Sequence, residues 1–420
     1  MNYLKPANEK EVLRAGIRFH HLPPTAIEVE WQDFSNGFNS LFHPESGFQE
    51  LRSSIQKTFD SPACEMVASG RSALVLILLS LKRFSDRSKV ILPAYTCSTV
   101  VQSVIEAGLK PVFCDLSQKN LDLDRDDLYQ LIDDEVLAII PTHLYGLAQD
   151  ISDLVELGRE KDFFVIEDAA QSFGARYGDR YVGTLGDVGF FSLGRGKCVP
   201  SGHGGVILAG TRCAEVVSET VHKTIEQGQR YDFGSLAAYL GYSIATHPFA
   251  WWFVDHTPLN PADQGMNVET LPPIKYQGIS AVQAGIASSI FHRLDDINEL
   301  RRETANRLIN LLVGFGFIQF PEIPSHAEPV FLRLPFIVNQ RRIGELLFDT
   351  LRMRGIGISK SYYLTLPELY SGRIQSQTRE YPASEHIAEC LYTLPTHTYL
   401  NEEDINIIQD TFYKLSATRE

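Results

Sequence analysis

From about residue 62 onward, apolar and polar positions come in blocks whose period switches back and forth. SGRSALVLILLSLKR (69–83) opens on small polar residues and continues as an apolar helical face. STVVQSVIEAG (98–108) is helical and stops at glycine, and DISDLVELGREK (150–161) has the same period. Between and after these stand short β-rich runs: KVILPAY (89–95), KPVFCDL (110–116), LAIIPTH (137–143), FFVIEDAA (163–170), DVGFFSLG (187–194) and GGVILAG (204–210). Continuous apolar strands alternating with helices predict an α/β fold whose parallel sheet is covered on both faces. In such sheets ligands gather at the carboxyl ends of the strands.

The pattern loosens over 212–277, which is rich in aromatic and turn residues. A charged helical stretch over 279–312, a strand over 328–339, a helix over 341–355 and a last helix near 402–415 follow. This predicts two parts: an N-terminal segment with a large domain over 1–277, then a connecting helix with a smaller α+β domain over 278–420. No internal repeat or low-complexity tract interrupts them.

The 420 residues are 44% hydrophobic, enough for a large core, and carry a formal charge of -14. That charge argues against broad nucleic-acid binding, which needs a basic surface. Cys64, Cys97, Cys114, Cys198, Cys213 and Cys390 show no C-x-x-C spacing. They suit reduced thiols in a cytoplasmic protein, with no disulfide framework or zinc site expected. The N-terminal MNYLKPANEK lacks the apolar core of a signal peptide. Residues 233–254 contain no charged side chain and include Trp251 and Trp252, but Gly241, Ser243, Thr246, His247 and Pro248 make a poor spanning helix. The composition favours burial at a subunit or substrate interface over a peripheral membrane contact.

One loop asks for chemistry. GFFSLGRGKCVPSGHGG (189–205) runs from an apolar strand into small polar residues around Lys197. A phosphate-cradling Walker loop fails, because Phe191 and Cys198 stand where glycine and a hydroxyl are needed. A dinucleotide fingerprint fails at Val199. A lysine whose amine reacts needs partners, and two strand ends offer them. Asp168 ends the apolar run VIED, where a carboxylate calls for a cationic neighbour, although a helix-capping role is open to it too. Ser69, Gly70, Arg71 and Ser72 open a helix and present backbone amides and hydroxyls to an anion. Pyridoxal phosphate needs this set: a phosphate cup at a helix N-terminus, a carboxylate on the pyridine nitrogen and a Schiff-base lysine.

With those residues in view, the chain resembles the DegT/DnrJ/EryC1/StrS family, the sugar aminotransferases among the fold-type-I pyridoxal-phosphate enzymes. The likeness runs in order over roughly residues 40 to 415: SGRSAL (69–74), ILPAYTCSTVVQSVIEAGLKPVFCD (91–115), PTHLYG (141–146), VIEDAAQSFGA (165–175), the lysine loop, and YPASEHIAECLYTLPTHTYLNEEDI (381–405). The resemblance implies pyridoxal 5'-phosphate as cofactor, with Lys197 as its Schiff-base lysine and Asp168 on its pyridine nitrogen. It implies that Ser192, Gly70, Arg71 and Ser72 hold its phosphate. Gln171 would lie near the ring oxygen or the substrate. It further implies a homodimer with shared active sites that moves an amino group, expected to come from glutamate, onto a keto sugar carried on a nucleotide.

Departures from the family pattern are specific. Cys97 occupies the position of an aromatic residue stacked on the cofactor ring. Tyr276 stands where many members have an asparagine that reaches the partner's phosphate. His203 replaces a glutamate, and Arg71 a common threonine. His143 and Tyr145 end a strand and border the expected site. Lys360 and Arg195 are open to either a ligand or a surface role. Three other readings remain at this level. One is a sugar dehydratase of the same family, which Lys197 speaks against because those members carry histidine there. The others are a non-catalytic regulatory or scaffolding relative and an enzyme for a lipid-linked or other carbonyl substrate, the last suggested by 233–254.

Overall fold

The structure, a computed structural model, describes residues 18–225, 232–256, 273–374 and 379–417. The N-terminal decapeptide, 257–272 and the first residue of PPIKYQGISAVQ (272–283) lie outside them. Among the described residues nine strands precede residue 210: β1 (Ala63–Val67), β2 (Lys89–Pro93), β3 (Lys110–Cys114), β4 (Val136–Ile139), β5 (Phe164–Asp168), β6 (Arg176–Tyr177), β7 (Arg180–Tyr181), β8 (Val188–Ser192) and β9 (Gly205–Ala209). Seven of them form the central sheet in the order β1-β9-β8-β5-β4-β2-β3. Strands β4, β5 and β9 are buried at every position, as strands covered on both faces must be.

The sheet is parallel from β3 through β8, but β9 runs antiparallel to both β8 and β1. The cause is local: β8 reaches β9 through the lysine loop alone, with no crossover helix to bring the chain back to the same end. Two reversals leave β1 parallel to β8. The carboxyl ends of β1, β2, β4, β5 and β8 and the amino end of β9 therefore share one edge of the sheet.

Among the described residues four further strands follow: β10 (Ile318–Gln319), β11 (Ala327–Glu328), β12 (Leu334–Val338) and β13 (Leu391–Leu394). β10, β12 and β13 make a small antiparallel sheet, while β11 pairs with β6. One apolar cluster runs from Ile91, Tyr95 and Val165 to Phe336, Leu391 and Phe412, so the small sheet shares its core with the large one.

The single helix expected over 279–312 is two, Ala281–His292 and Leu294–Leu312. Arg293 leaves helical geometry between them. Its guanidinium bonds the fully buried Asp33 carboxylate at 2.6 Å and the Glu28 carbonyl at 2.9 Å. The first helix is buried on almost every face, against Trp31–Phe42 and Pro44–Phe59. The second is amphipathic.

The loosely patterned stretch holds helices Phe233–Ala245 and Pro248–Asp255 as well as Ala214–Thr224. Phe233, Leu240 and Ile244 recur at helical spacing on an exposed face, and Phe249 and Phe253 do so on the next helix. Tyr239 turns inward to bond Asp33 at 3.2 Å. Among the described residues no helix is long and apolar enough to cross a membrane.

Candidate active site

The shared strand edge assembles the predicted residues. Ser69 follows β1 and caps helix Gly70–Leu81, its Oγ accepting the Ser72 amide at 3.1 Å. Gly70 is the first helical residue, and its neighbour is Ser192 at the end of β8: a Cβ on Gly70 would stand 3.2 Å from the serine Cβ. Ser69 also pairs with Gly204, and Gly205 packs so tightly on the Ser69 carbonyl that a side chain has no room there. The N-terminal amides of a helix, two serine hydroxyls and a close-packed glycine pair thus face one another, a cradle with the chemistry of a phosphate seat. The Ser72 hydroxyl donates to the Lys275 carbonyl at 2.8 Å, and the Arg71 guanidinium donates to Gln102 Oε1 at 2.8 Å. Of Arg71, its backbone is what the turn presents; its side chain is committed to helix Ser98–Glu106.

Asp168, the last residue of β5, is buried. Burial pushes its carboxyl up from the ordinary value, while the Lys197 ammonium and the Ala170 amide 3.1 Å from Oδ1 pull it down. Lys197 sits half-buried in the loop after β8, where Gly196 takes φ 72° to turn the chain. The Gly196 amide donates to the Tyr242 hydroxyl at 3.4 Å, and a Cβ at 196 would lie 2.9 Å from Thr25 Oγ1. Helix Phe233–Ala245 and the N-terminal segment therefore both brace the lysine loop.

Beneath that loop lies Arg301, 2% exposed, bonded to Asn298 at 3.2 Å and next to the Cys198 thiol. Asn298 in turn holds the Phe173 carbonyl at 3.0 Å. Nothing in the amphipathic spacing of its helix marks Arg301 as more than a surface position.

His143 is structural in its hydrogen bonding. The Gln149 amide donates to Nδ1 at 3.0 Å, so Nε2 carries the proton and donates to Glu167 Oε2 at 3.1 Å. Glu167 also accepts the Gly183 and Gly186 amides at 2.7 Å each. Tyr145 takes φ 59°, a costly left-handed conformation for a tyrosine. That turn delivers its amide to Gln171 Oε1 at 3.1 Å and its hydroxyl to within 3.3 Å of Tyr95. Gln171 Nε2 reaches Tyr362 at 3.4 Å, and the Tyr95 and Tyr362 rings meet edge to face. Arg333 closes this wall, donating to Ser359 at 3.0 Å and Ser361 at 3.2 Å, with Nε buried and unpaired among the described residues. Arg333 and Tyr362 come from beyond residue 330 and only the fold brings them to Gln171; sequence spacing carries no sign of it.

Cys97 caps helix Ser98–Glu106 after β2, its Sγ 3.0 Å from Thr99 Oγ1. Tyr276 follows Lys275, whose carbonyl accepts the Ser72 hydroxyl, and donates to Glu106 Oε1 at 3.2 Å. Lys360 points elsewhere, bonded to the Glu389 carbonyl at 2.7 Å.

Two buried hydroxyls on this edge, Thr96 Oγ1 after β2 and Thr142 Oγ1 beside Asp168, find no hydrogen-bond partner among the described residues. An unmet hydroxyl in the interior is costly, and a polar ligand relieves it. The donor set fits a pyridoxal phosphate: an amine, a buried carboxylate, a phosphate cradle and unpaired hydroxyls. The model of the DegT/DnrJ/EryC1/StrS aminotransferase family matches residues 46–231 and 264–412. The chain belongs to that family. It is therefore a pyridoxal-phosphate-dependent aminotransferase with the fold of its class.

Named relatives are similar to it at two ranges. A UDP-N-acetyl-3-dehydro-alpha-D-glucosamine 3-aminotransferase of Acidithiobacillus ferrooxidans is 28% identical over 342 residues, 80% of each chain. A GDP-perosamine synthase of Escherichia coli O157:H7 is 37% identical over 142 residues, 34% of this chain and 39% of that protein. Among solved structures, the aminotransferase TlmJ from Streptoalloteichus hindustanus superposes with a TM-score of 0.74 at 18% identity, covering 96% of this chain and 100% of its own. Nucleotide-sugar aminotransferases are thus among its relatives.

Proposed function

We propose that the chain transfers an amino group from glutamate to a keto sugar carried on a nucleotide. The observation that carries the reading is the convergence of Lys197, Asp168 and the Ser69–Ser72 turn on one edge of the sheet. When bound, pyridoxal phosphate supplies an aldehyde for the amine and an electron sink for the substrate carbanion. Lys197 holds the cofactor covalently and, once released, moves a proton between the substrate carbon and the cofactor. Asp168 keeps the pyridine nitrogen protonated; its carboxylate is favoured by the Lys197 charge and the Ala170 amide against the cost of burial. Gly70 and Arg71 offer amides, and Ser192 a hydroxyl, to the phosphate; Ser72, whose amide bonds Ser69 Oγ and whose hydroxyl donates to the Lys275 carbonyl, shapes the turn that presents them. Gln171, held by the Tyr145 amide and the Tyr362 hydroxyl, would orient the ring oxygen or substrate, and Cys97 would contribute to the ring's seat at the position where relatives carry an aromatic side chain.

An anionic substrate needs local cations on a chain of net charge -14. Arg195 and Lys275 stand close enough to His203 to help lower its pKa, after burial, and form a basic rim beside the phosphate turn. Arg333, with an unpaired Nε, suits the carboxylate of the amino donor. Relatives that act on UDP- and GDP-linked sugars support the nucleotide. Purified protein with glutamate and a UDP- or GDP-linked keto sugar tests the reading. We expect the aminated sugar and 2-oxoglutarate in equal amounts; amination of free keto sugars alone would refute the nucleotide part.

A cytoplasmic homodimer with a shared site belongs to the same proposal, as does a division into units at residues 277 and 278. The charge-free face of Phe233, Leu240 and Ile244 is where two copies of so acidic a chain approach with least repulsion. Binding to vesicles by a monomer, in place of dimerisation, would contradict it.

A further inference from the structure

Away from this site, His21, Asp255 and His256 each bring a ligand atom to within 4.8 Å of the other two. His21 is buried, Asp255 half-buried and His256 exposed. We propose that these three side chains bind a divalent transition-metal ion of the zinc type, two imidazoles and one carboxylate, with a coordination position left open to solvent.

The geometry of each ligand supports it. His21 Nδ1 lies 3.4 Å from Asp255 Oδ2. That is long for a charge-assisted hydrogen bond but equals the separation of two ligand atoms on a tetrahedral ion with bonds of about 2.0–2.1 Å, roughly 3.4 Å. His256 Nδ1 lies 2.7 Å from the Trp252 carbonyl oxygen, which only accepts. The proton is therefore on Nδ1, and Nε2 keeps its lone pair, the tautomer and backbone contact typical of a metal-bound imidazole. The other carboxylate oxygen of Asp255, Oδ1, accepts from Arg352 Nε at 3.2 Å and Nη2 at 3.1 Å, so the arginine orients the carboxylate from the side away from His21. The two rings are 5.3 Å apart and tilted by 55°, converging rather than stacked. Closing all three onto one ion asks for a shift on the order of 1 Å, and His256, the exposed member, has room to make it.

All three ligands come from parts of the chain outside the ranges that the family model matches, 46–231 and 264–412. The site is thus an addition to the shared scaffold. It joins residue 21 to the end of helix Pro248–Asp255 across 234 positions of sequence. The cysteine spacing predicts no zinc site, and ligands this far apart in sequence leave no local spacing to read. The ion would staple the N-terminal segment to the helix pair that braces the lysine loop.

The test uses the cofactor-loaded full chain, stripped with EDTA, dialysed against Zn²⁺ and desalted, with retained zinc measured by mass spectrometry. We expect one zinc per chain in the wild type and at least about a tenfold weaker affinity in His256→Gln and His21→Gln. Bound Co²⁺ should give visible ligand-field bands in difference spectra of the wild type only. His256 is exposed, so His256→Gln keeps the fold, and equal melting temperatures in EDTA verify this. No retained zinc in the wild type, or equal zinc in His256→Gln, would overturn the proposal. Neither variant touches the cofactor residues, so the outcome is independent of the transaminase reading.

Discussion

Gly70 lies so close to Ser192 that a Cβ on it would stand 3.2 Å from the serine Cβ and 3.5 Å from its Oγ. A helix N-terminus and a strand end 122 residues apart in sequence (192 minus 70) meet there, where we place the cofactor phosphate. Gly70→Val should push the serine away while leaving the helix behind it intact. We expect the dissociation constant for pyridoxal phosphate to rise at least about tenfold, roughly 1.4 kcal/mol. Fluorescence titration of the apoprotein measures it. An unchanged affinity would place the phosphate elsewhere.

Asp168→Asn keeps an oxygen for the Ala170 amide but removes the charge. The variant should still bind cofactor and turn over at least about a hundredfold more slowly, equivalent to roughly 2.7 kcal/mol of barrier. Single-turnover kinetics with glutamate reads it directly. Near-wild-type rates would reduce Asp168 to a cap on the turn that follows β5.

The strands β2 to β5 and β8 were legible because each has a mostly apolar run, and β5 and β8 end at the polar Asp168 and Ser192. The order of the motifs singles out Ser69 to Ser72, Asp168, Ser192 and Lys197 as proposed site residues without long-range information. What spacing could not carry is tertiary. Strand β1 lies at the sheet edge with Glu65 held by Arg52 at 3.0 Å, and its five residues give no distinctive period. The break at Arg293 depends on Asp33, 260 positions away. Arg333 and Arg301 look like ordinary surface cations until the fold buries one beneath the lysine loop and sets the other beside Tyr145 and Tyr362.

His397 supplies a pH dependence of stability. It is buried, with Nε2 2.8 Å from the Pro23 carbonyl and Nδ1 unpaired, and burial lowers its pKa from 6.5 to about 4. Below pH 6.5 the unfolded chain takes up a proton that the folded chain refuses. Stability from this group is therefore complete above pH 6.5 and falls as pH drops towards 4. The loss between pH 6.5 and 5 is about 2 kcal/mol. Denaturant melts at the two pH values should differ less in His397→Gln than in the wild type. Equal differences would assign the acid sensitivity to other groups.

Tyr276 tests the shared site. Within one chain its hydroxyl bonds Glu106, at the end of helix Ser98–Glu106. If the partner's phosphate also draws on it, Tyr276→Phe should weaken cofactor retention several-fold without dissociating the dimer, and mixing it with Lys197→Ala should produce hybrid sites. Sedimentation and cofactor release measure both. Unchanged retention would leave Tyr276 a helix contact only, and a fully active monomer at high dilution would remove the shared site altogether.

The assignment of Lys197 is tested most directly by reducing the cofactor-loaded protein with borohydride and mapping the labelled peptide. We expect a single pyridoxyl group on Lys197, and neither label nor visible cofactor absorbance nor transamination in a folded Lys197→Ala chain. A label on any other lysine, or turnover in Lys197→Ala, would contradict the account.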